Sequence, residues 1–414
     1  MLRTKVLLNN GDLSKTEIVW FYPASMTQNR FNKFKAEWEN TFATLFGAPI
    51  SNIIAASESV APYYYHKAKK GATSTVVSVD IGGGTTDVLI VDKGEPKYLT
   101  SFRFAANTIF GDGYSYDSDS NGFVNKYKDI ITNQLETNNL RGLKAVLKSV
   151  LDKRVSTDVI AFLFSLASNK EIKKEKVEIN FAKMLADDNR GKYVVILFYV
   201  AIVYHIAKLM KAKGFDMPRH MTFSGNGSKV LNILSTNDAT LVRLTKIIFE
   251  EIYAQSYSID GLDIIRPANS KESTCKGGII LTPFQSQDYG EIKDMKTILI
   301  GTDNEKFADV HMTYNDVTEA DLDSVVDVIK EYIEFTFKLD KKFSFYDNFD
   351  VDRSIMNKVK DLCYRDIRTY LENGLAIKKS EIAQDGADDN LEETLFFYPL
   401  VGIINAVVRN IYQM

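Results

Sequence analysis

The stretch Ser78-Val-Asp-Ile-Gly-Gly-Gly-Thr-Thr-Asp87 decides which fold the sequence predicts. An apolar strand runs into Asp80, three glycines and two threonines follow, and Asp87 opens a second strand. Because glycine has no Cβ, residues 82–84 can adopt positive φ and let a ligand approach the main chain closely. Successive N–H groups in such a turn can point together at an anion. The stretch therefore predicts a phosphate-binding turn between two β-strands.

The side chains beside these glycines extend the prediction. The hydroxyls of Thr85 and Thr86 are neutral donors, whereas the carboxylates of Asp80 and Asp87 repel phosphate. Such carboxylates can instead hold the water shell of a phosphate-bound Mg²⁺. The alternative is a tight hairpin whose glycines serve only the turn, but a two-residue hairpin turn typically needs one glycine.

This segment resembles the second phosphate motif of the ATPase superfamily that includes actin, the seventy-kilodalton heat-shock chaperones and the sugar kinases. Three other segments resemble that superfamily in the same order. Residues 53–65 (IIAASESVAPYYY) are similar to its first connecting segment, and 221–229 (MTFSGNGSK) to its adenosine motif. Residues 269–279 (NSKESTCKGGI) are similar to its second connecting helix, where small residues let the two halves approach closely. The resemblance covers roughly residues 16–282.

The resemblance implies ATP or ADP with Mg²⁺ as cofactors. Glu58, Asp80 and Asp87 are the implied catalytic residues: Glu58 orients the attacking water, and the two aspartates position metal-bound water. The implied nucleotide-binding residues lie on the two glycine turns and the second connecting helix: Gly82, Gly83, Gly84, Thr85, Thr86, Gly225, Asn226, Gly227, Ser228, Lys229 and Lys271.

Some of these residues have simpler interpretations. Glu58 could cap a helix that begins at Ser59, since acidic residues favour helix N-termini. Lys229 and Lys271 could be solvated surface lysines. These alternatives stay open at the level of the sequence.

One motif of the superfamily is not found where we expect it. Members begin with an Asp-x-Gly-Thr hairpin, and none precedes Glu58 in this sequence. Residues 301–303 (Gly-Thr-Asp) lack the leading aspartate and are interpreted as a plain turn. Either the chain is the C-terminal part of a longer protein, or the protein retains one half of the cleft. In both cases we expect weak ATP binding and slow or no hydrolysis, because phosphoryl transfer needs groups from both sides.

Two further differences separate the sequence from the chaperones. Ser59 stands where those members usually carry proline, and tyrosines at 63–65 replace small residues. The segment after Leu281 is too short and too helical for a peptide-binding β-domain. These features favour a divergent bacterial actin-like member.

The expected fold class is α/β, with a ribonuclease H-like actin-type ATPase domain whose second lobe is complete and whose first lobe is partial. Residues 1–70 are the partial first lobe, with a β–α–β–α order. Residues 71–122 and 192–281 form the second lobe, which carries the nucleotide motifs. An inserted, mostly helical subdomain spans 123–191.

Residues 282–414 are predicted as a mainly helical C-terminal region. The sequence predicts a hairpin over 296–300 and 309–313, and helices near 318–337, 351–373 and 391–412. The apolar segment 396–408 suits either a core or an interface for self-assembly or a protein partner.

Composition excludes several classes of protein. The net charge of −3 argues against a nucleic-acid binder, which would normally show a basic surplus. Two cysteines are too few for a disulfide framework, and four scattered histidines lack zinc-ligand spacing. No secretory signal opens the chain, and the apolar run 193–207 is too short for a membrane span. We therefore expect a cytoplasmic protein without a membrane span.

Three functions fit these observations to different degrees. The first is an ATP-binding protein in which nucleotide controls closure of two lobes. The second is a scaffold or filament-forming protein that uses the same fold without hydrolysis. The third, a sugar or metabolite kinase, needs a catalytic aspartate and a sugar pocket that the sequence does not supply.

Overall fold

The chain is described here from a computed structural model. The described residues are 1–23, 28–70, 75–114, 121–258, 261–267, 270–281, 313–385, 391 and 393–414. Within them, two β-sheets of unequal size are surrounded by helices.

The first 70 residues contain a small sheet of two parallel strands. The elements, in chain order, are α1 (Leu2–Leu8), β1 (Ile18–Tyr22), α2 (Gln28–Phe46), β2 (Ile53–Ser57) and α3 (Ala61–Lys70). Strands β1 and β2 pair in register from Ile18 opposite Ile53 to Tyr22 opposite Ser57. A helix between the strands makes the parallel connection possible. The predicted β–α–β–α order is confirmed, and α1 precedes it.

A five-stranded sheet forms the centre of the larger part. Its strands are β3 (Val76–Ile81), β4 (Thr86–Asp92), β5 (Glu95–Phe102), β6 (His220–Ser224) and β7 (Asp263–Ile265). Short turns join the first three strands into an antiparallel meander, whereas β6 and β7 return through long connections and lie parallel to β3. The spatial order β5–β4–β3–β6–β7 is that of a ribonuclease H-like domain, so the predicted fold class is confirmed.

Helices fill the connection from β5 to β6. They are α4 (Ala106–Phe110), α5 (Gly122–Thr137), α6 (Arg141–Asp152), α7 (Ser156–Leu166), α8 (Lys170–Lys174), α9 (Phe181–Ala186) and α10 (Lys192–Ala212). The helical character predicted for 123–191 is confirmed. The stretch after β5 contains the short helix α4.

Helix α10 is the core helix of the molecule. It is long and apolar enough to cross a membrane, but 94% of its most apolar window is buried inside this fold. His205, in the middle of this helix, packs against Phe396 and Phe397, and burial lowers its pKa to about 3. The apolar run is therefore part of a protein core in this structure.

Three helices follow β6: α11 (Leu231–Leu234), α12 (Asp238–Tyr253) and, after β7, α13 (Ser270–Leu281). The C-terminal region adds α14 (Glu319–Phe343), α15 (Phe345–Phe349), α16 (Met356–Cys363), α17 (Ile367–Asp385) and α18 (Phe397–Asn410). The prediction of one helix over 351–373 is wrong, because Asp366 takes a left-handed φ of 55° that separates α16 from α17. The predicted hairpin lies outside the described residues, apart from Thr313.

The C-terminal region shares its core with the five-stranded sheet. Phe397 of α18 stacks on Phe102 at a ring distance of 4.0 Å and lies 4.8 Å from Phe104. Phe396 packs on Tyr204 of α10 at 6.0 Å. The apolar segment near 396–408 is therefore mainly core in this structure.

The two faces of the five-stranded sheet differ in polarity. Successive side chains on a strand point to opposite faces. Val77, Val79 and Ile81 point to one face, which is buried in the same apolar core as α10. On the other face, Val76 and Leu89 pack with the first-lobe residues Val60 and Tyr63. Toward the carboxyl end of β3 this second face becomes polar, and that change positions the candidate site.

Candidate functional site

A row of four polar side chains crosses the second face of the sheet at the carboxyl ends of β3 and β6. Ser101 lies opposite Asp87, Asp87 opposite Asp80, and Asp80 opposite Ser224. All four residues are buried, and the Ser224 hydroxyl lies 3.2 Å from a carboxylate oxygen of Asp80 and donates to it. We call this set the polar row. Ligands of open α/β sheets bind outside the carboxyl ends of the strands, and the polar row marks that place.

Two carboxylates stand directly opposite each other in the polar row. Cross-strand neighbours such as Asp80 and Asp87 have Cα atoms about 4.5–5.5 Å apart, where like charges are destabilising. A cation close to both carboxylates would offset this repulsion. The sheet therefore provides a reason for a positive charge at this point.

The two glycine turns lie against each other beside the polar row. The first glycine turn, residues 82–85, follows β3, and the second, residues 225–228, follows the neighbouring strand β6. A Cβ on Gly225 would lie 2.2 Å from the carbonyl oxygen of Ile81 and 2.3 Å from Asp80 Oδ1. A Cβ on Gly227 would lie 2.2 Å from the carbonyl oxygen of Gly82.

The second lobe has an actin-type fold. The strand order, the parallel pair β3–β6 and the two adjoining glycine turns together carry this assignment. The two turns touch through their main chains, with no gap between Gly225 or Gly227 and the end of β3.

Comparisons with known proteins give only distant similarity. No family model matches the chain, and no curated protein sequence matches it. The crystal structure of ethanolamine utilization protein EutJ from Carboxydothermus hydrogenoformans is similar at 12% identity and a TM-score of 0.29, over 64% of this chain and 66% of that one. The crystal structure of MreB5 of Spiroplasma citri bound to ADP is similar at 14% identity and a TM-score of 0.29. This similarity covers 68% of this chain and 73% of the MreB5 chain. Both TM-scores are low, so the actin-type assignment rests on the sheet and the turns.

The glycines of the first glycine turn do not adopt a left-handed backbone conformation. None of residues 82–84 is among the glycines with positive φ, so that prediction is wrong. The turn closes instead through a hydrogen bond from the Gly82 N–H to the Thr85 carbonyl at 2.9 Å. Among the described residues, no atom lies within 4 Å of a Cβ built on Gly84, and a Cβ on Gly83 would meet the Asn107 side chain from 3.6 Å. The outer side of this turn is therefore open.

The two threonines of the motif have different surroundings. Thr86 is fully buried, and its hydroxyl donates to the Phe104 carbonyl at 2.6 Å. That hydroxyl ties β4 to the end of β5, so we leave Thr86 out of the ligand set. Thr85 is only partly buried at the open side of the turn.

In the second glycine turn, Gly225 needs to be glycine for its conformation as well as its contacts. Its φ of 80° is left-handed, a region that residues with a Cβ rarely adopt. Ser228 is buried and its hydroxyl donates to the Gly225 carbonyl at 2.8 Å, which closes the turn. Asn226 and Lys229 are exposed. Lys271 lies in α13, but its side chain is outside the described residues.

Glu58 lies apart from the polar row, at the carboxyl end of β2 in the first lobe. Its N–H donates to the Tyr22 carbonyl at 3.0 Å, and the residue is partly buried beside β1. The described hydrogen bonds and ion pairs do not join Glu58 to either glycine turn. Its catalytic role stays a prediction.

The two connecting helices pack as closely as the resemblance implied. A Cβ on Gly277 of α13 would lie 1.8 Å from the Ala61 carbonyl oxygen of α3. A Cβ on Gly278 would lie 2.5 Å from the Phe21 ring. Because both glycines lack side chains, α13 contacts the first lobe at main-chain distance.

The sequence reasoning missed the segment that supports the first glycine turn. The N–H of Asn107 donates to the Gly83 carbonyl at 2.8 Å, and the N–H of Ala106 donates to the Gly82 carbonyl at 3.3 Å. Two hydrogen bonds connect this segment to the C-terminal region. The Arg103 N–H donates to the Glu393 carboxylate, and the Tyr114 hydroxyl donates to the Tyr398 carbonyl. No residue pattern near 103–114 signals these contacts, which join residues almost 300 positions apart.

The residues present fit a phosphate-bound Mg²⁺ better than a metal bound by protein alone. In the parts of the chain that the structure describes, no three His, Cys, Asp or Glu side chains gather in one place. Asp80 and Asp87 form a pair of carboxylates beside an open glycine turn. Mg²⁺ commonly keeps several waters and binds through one or two carboxylates and the phosphates of a substrate.

Proposed function

We propose that the chain binds an adenine nucleotide with Mg²⁺ at the two glycine turns. The observation that carries this proposal is the open side of Gly84 and Gly83, next to a buried pair of carboxylates. The protein itself makes little use of the space that these missing side chains leave. A phosphate group is the ligand that such main-chain N–H groups favour.

Within this proposal the phosphates lie against Gly83, Gly84 and Thr85, which offer main-chain N–H groups and one hydroxyl. Asp80 and Asp87 hold the water shell of Mg²⁺, whose charge neutralises the phosphates. Ser224 orients the Asp80 carboxylate by its hydrogen bond. Asp80, Asp87 and Ser224 are buried near the ends of their strands, which keeps the positions of these three side chains rigid.

The second glycine turn has a supporting role. Gly225 and Gly227 bring the main chain of β6 against the first turn. The exposed side chains of Asn226 and Lys229 are the groups that can contact the nucleoside. Ser228 is occupied within its own turn.

We further propose that bound nucleotide biases closure of the first lobe on the second. The contact of Gly277 with Ala61 is a main-chain pivot between the two connecting helices. Glu58 would then approach the phosphates from the first lobe and orient water, with slow hydrolysis. We also propose that the chain divides into the domains given above. Its proposed location is the cytoplasm, where ATP and Mg²⁺ are abundant.

A pair of glycine substitutions tests the binding site. Gly84→Val fills the open side of the turn without meeting protein, so we expect the affinity for Mg-ATP to fall about tenfold or more. We expect the free energy of unfolding to change by no more than about 0.5 kcal/mol. Calorimetric titration measures the affinity and urea unfolding the stability.

Gly142→Val is the matched control, because a Cβ on Gly142 of α6 also has no atom within 4 Å. We expect this variant to bind like the wild type. Equal affinity of Gly84→Val and Gly142→Val would remove the proposed site.

A further inference from the structure

We propose that Glu393 is a positioning residue for the first glycine turn, and that the C-terminal region sets the affinity of this turn for nucleotide through it. The effect on nucleotide affinity rests on the proposed function, whereas the effect on the turn can be measured without a ligand. The resemblance to the ATPase superfamily ends near residue 282, so it gives Glu393 no role.

The segment 103–107 holds the first glycine turn by its main chain. The N–H of Asn107 donates to the Gly83 carbonyl at 2.8 Å, and the Asn107 side chain lies 3.6 Å from the place of a Cβ on Gly83. Just after the turn, the Thr86 hydroxyl donates to the Phe104 carbonyl at 2.6 Å. The position of the turn therefore depends on where this segment lies.

Glu393 holds the start of the same segment. One of its carboxylate oxygens accepts from the Arg103 N–H at 2.9 Å, and the other accepts from the Tyr398 hydroxyl at 2.9 Å. The Arg103 Nε and the Lys378 Nζ lie 3.5 Å and 3.8 Å from the carboxylate. Lys378 belongs to α17 and Tyr398 to α18, so this one carboxylate joins two C-terminal helices to the end of β5.

Burial makes these contacts more effective than an ion pair at the surface. Glu393 is 6% exposed and Lys378 8% exposed. Hydrogen bonds to a charged group are roughly twice as strong as neutral ones, and buried charges are screened little by salt. Glu381 also accepts from the Arg103 guanidinium, but both side chains are half exposed, where an ion pair contributes little. We therefore assign the positioning to Glu393.

The residues that follow Glu393 are themselves held in the core. Phe397 stacks on Phe102 at 4.0 Å. The Tyr398 carbonyl accepts from the Tyr114 hydroxyl at 2.5 Å, and the Tyr398 hydroxyl lies 3.2 Å from the hydroxyl of Tyr314. A displacement of α18 would therefore move Glu393 and segment 103–107 together.

A second buried carboxylate provides a matched control. Asp188 is also 6% exposed, and it accepts from the hydroxyl of Tyr412 near the end of the chain. It further accepts from the Gly191 N–H at 3.1 Å and pairs with the Lys126 ammonium at 2.8 Å. The contacts described for Asp188 do not reach segment 103–107 or either glycine turn. Its loss removes a similar set of interactions at another place.

Hydrogen exchange of the full chain without nucleotide tests the positioning. We expect the Asn107 amide to exchange about tenfold or more faster in Glu393→Ala than in the wild type, because segment 103–107 is then free to leave the turn. In Asp188→Ala this amide should keep the wild-type rate. Unchanged protection in the middle of α10 shows that the fold is intact, since a general loss of stability would speed exchange there too.

Two conservative variants separate reach from charge, and they decide the question if Glu393→Ala does not fold. Glu393→Gln keeps an oxygen at the same reach for the Arg103 N–H, so we expect the Asn107 amide to stay protected. Glu393→Asp keeps the charge but is one methylene shorter, so we expect fast exchange at Asn107.

Calorimetric titration with Mg-ATP measures the consequence for the ligand. We expect Glu393→Asp to bind about tenfold more weakly than the wild type, and Asp188→Ala to bind like the wild type. Wild-type exchange of Asn107 in Glu393→Asp, or wild-type affinity in a variant with fast exchange there, would overturn the assignment of Glu393. A wild-type chain that does not bind Mg-ATP would contradict the proposed function instead, and the exchange rates alone would then decide whether Glu393 positions the turn.

Discussion

The two glycine turns touch each other, yet they keep their glycines for different reasons. At Gly225 and Gly227 a Cβ would meet main-chain oxygens at 2.2 Å, so these glycines make room for protein. At Gly84 a Cβ would meet nothing within 4 Å. Space beside a glycine does not by itself indicate a ligand, since Gly142 in α6 also has no atom within 4 Å of a Cβ. The first turn differs from Gly142 in lying beside two buried carboxylates, and the proposed function assigns its open side to a phosphate.

We expect the largest loss of stability at Gly225, where both the packing and the backbone conformation require glycine. Gly225→Ala places a methyl group against main-chain oxygen and forces a left-handed φ on alanine, so we expect a loss of about 3 kcal/mol in the free energy of unfolding. Urea unfolding measures it.

The variant Gly214→Ala separates the cost of the left-handed φ from the cost of the contact between the turns. Gly214 has a similar φ of 73°, but a Cβ there would have no atom within 4 Å. We expect this control to lose only about 1 kcal/mol. Equal losses in the two variants would show that contact between the turns adds nothing.

A substitution in the carboxylate pair tests the proposed position of Mg²⁺ beside the first glycine turn. Asp80→Asn keeps an oxygen for the Ser224 hydroxyl but removes a negative charge, so we expect the Mg²⁺-dependent gain in ATP affinity to fall about 10–100-fold. Titrations with Mg²⁺ and with a chelator measure that gain. Asp152→Asn, on the exposed end of α6, is the control. A full Mg²⁺ effect in Asp80→Asn would contradict the proposed metal position.

The two threonines of the first turn sharpen the comparison within one motif. Thr86→Val leaves the Phe104 carbonyl without its donor, so we expect a loss of about 1–2 kcal/mol of stability and little change in ATP affinity. Thr85→Val should show the reverse, with weaker ATP binding and nearly unchanged stability. Unfolding and titration of both variants check this, and a shared phenotype would show that the two hydroxyls have the same role.

The smallest effect is expected at Ser228. Ser228→Ala removes the hydroxyl that donates to the Gly225 carbonyl, which should lower stability by about 0.5–1 kcal/mol. We expect its ATP affinity to match that of the wild type. A tenfold weaker affinity would show that this hydroxyl contacts the ligand and that the second turn is also a binding turn.

Local patterns predicted much of the fold. The apolar runs that became β3 and β4 lie on either side of the glycines 82–84, and the helical run that became α10 ends just before Gly214. The break between α16 and α17 was missed because no glycine or proline marks it. Asp366 takes its left-handed φ in a stretch that is otherwise typical of one helix.

The candidate site was predicted in part. The motif identified Asp80 and Asp87, and the register of β3 with β4 places them opposite each other. The buried role of Thr86 was not predictable, because its acceptor is 18 residues away on the far side of β5. The support that Asn107 gives to Gly83 was missed for the same reason.

The amino-acid sequence alone determined the chemistry of this molecule: a strand that ends in a carboxylate, a turn without side chains, and a second such turn after a later strand. Tertiary structure decided which of those glycines is covered by protein and which is open. Which atoms a Cβ would meet at a glycine depends on the neighbouring strands and turns of the folded chain, and no local sequence pattern contains that information.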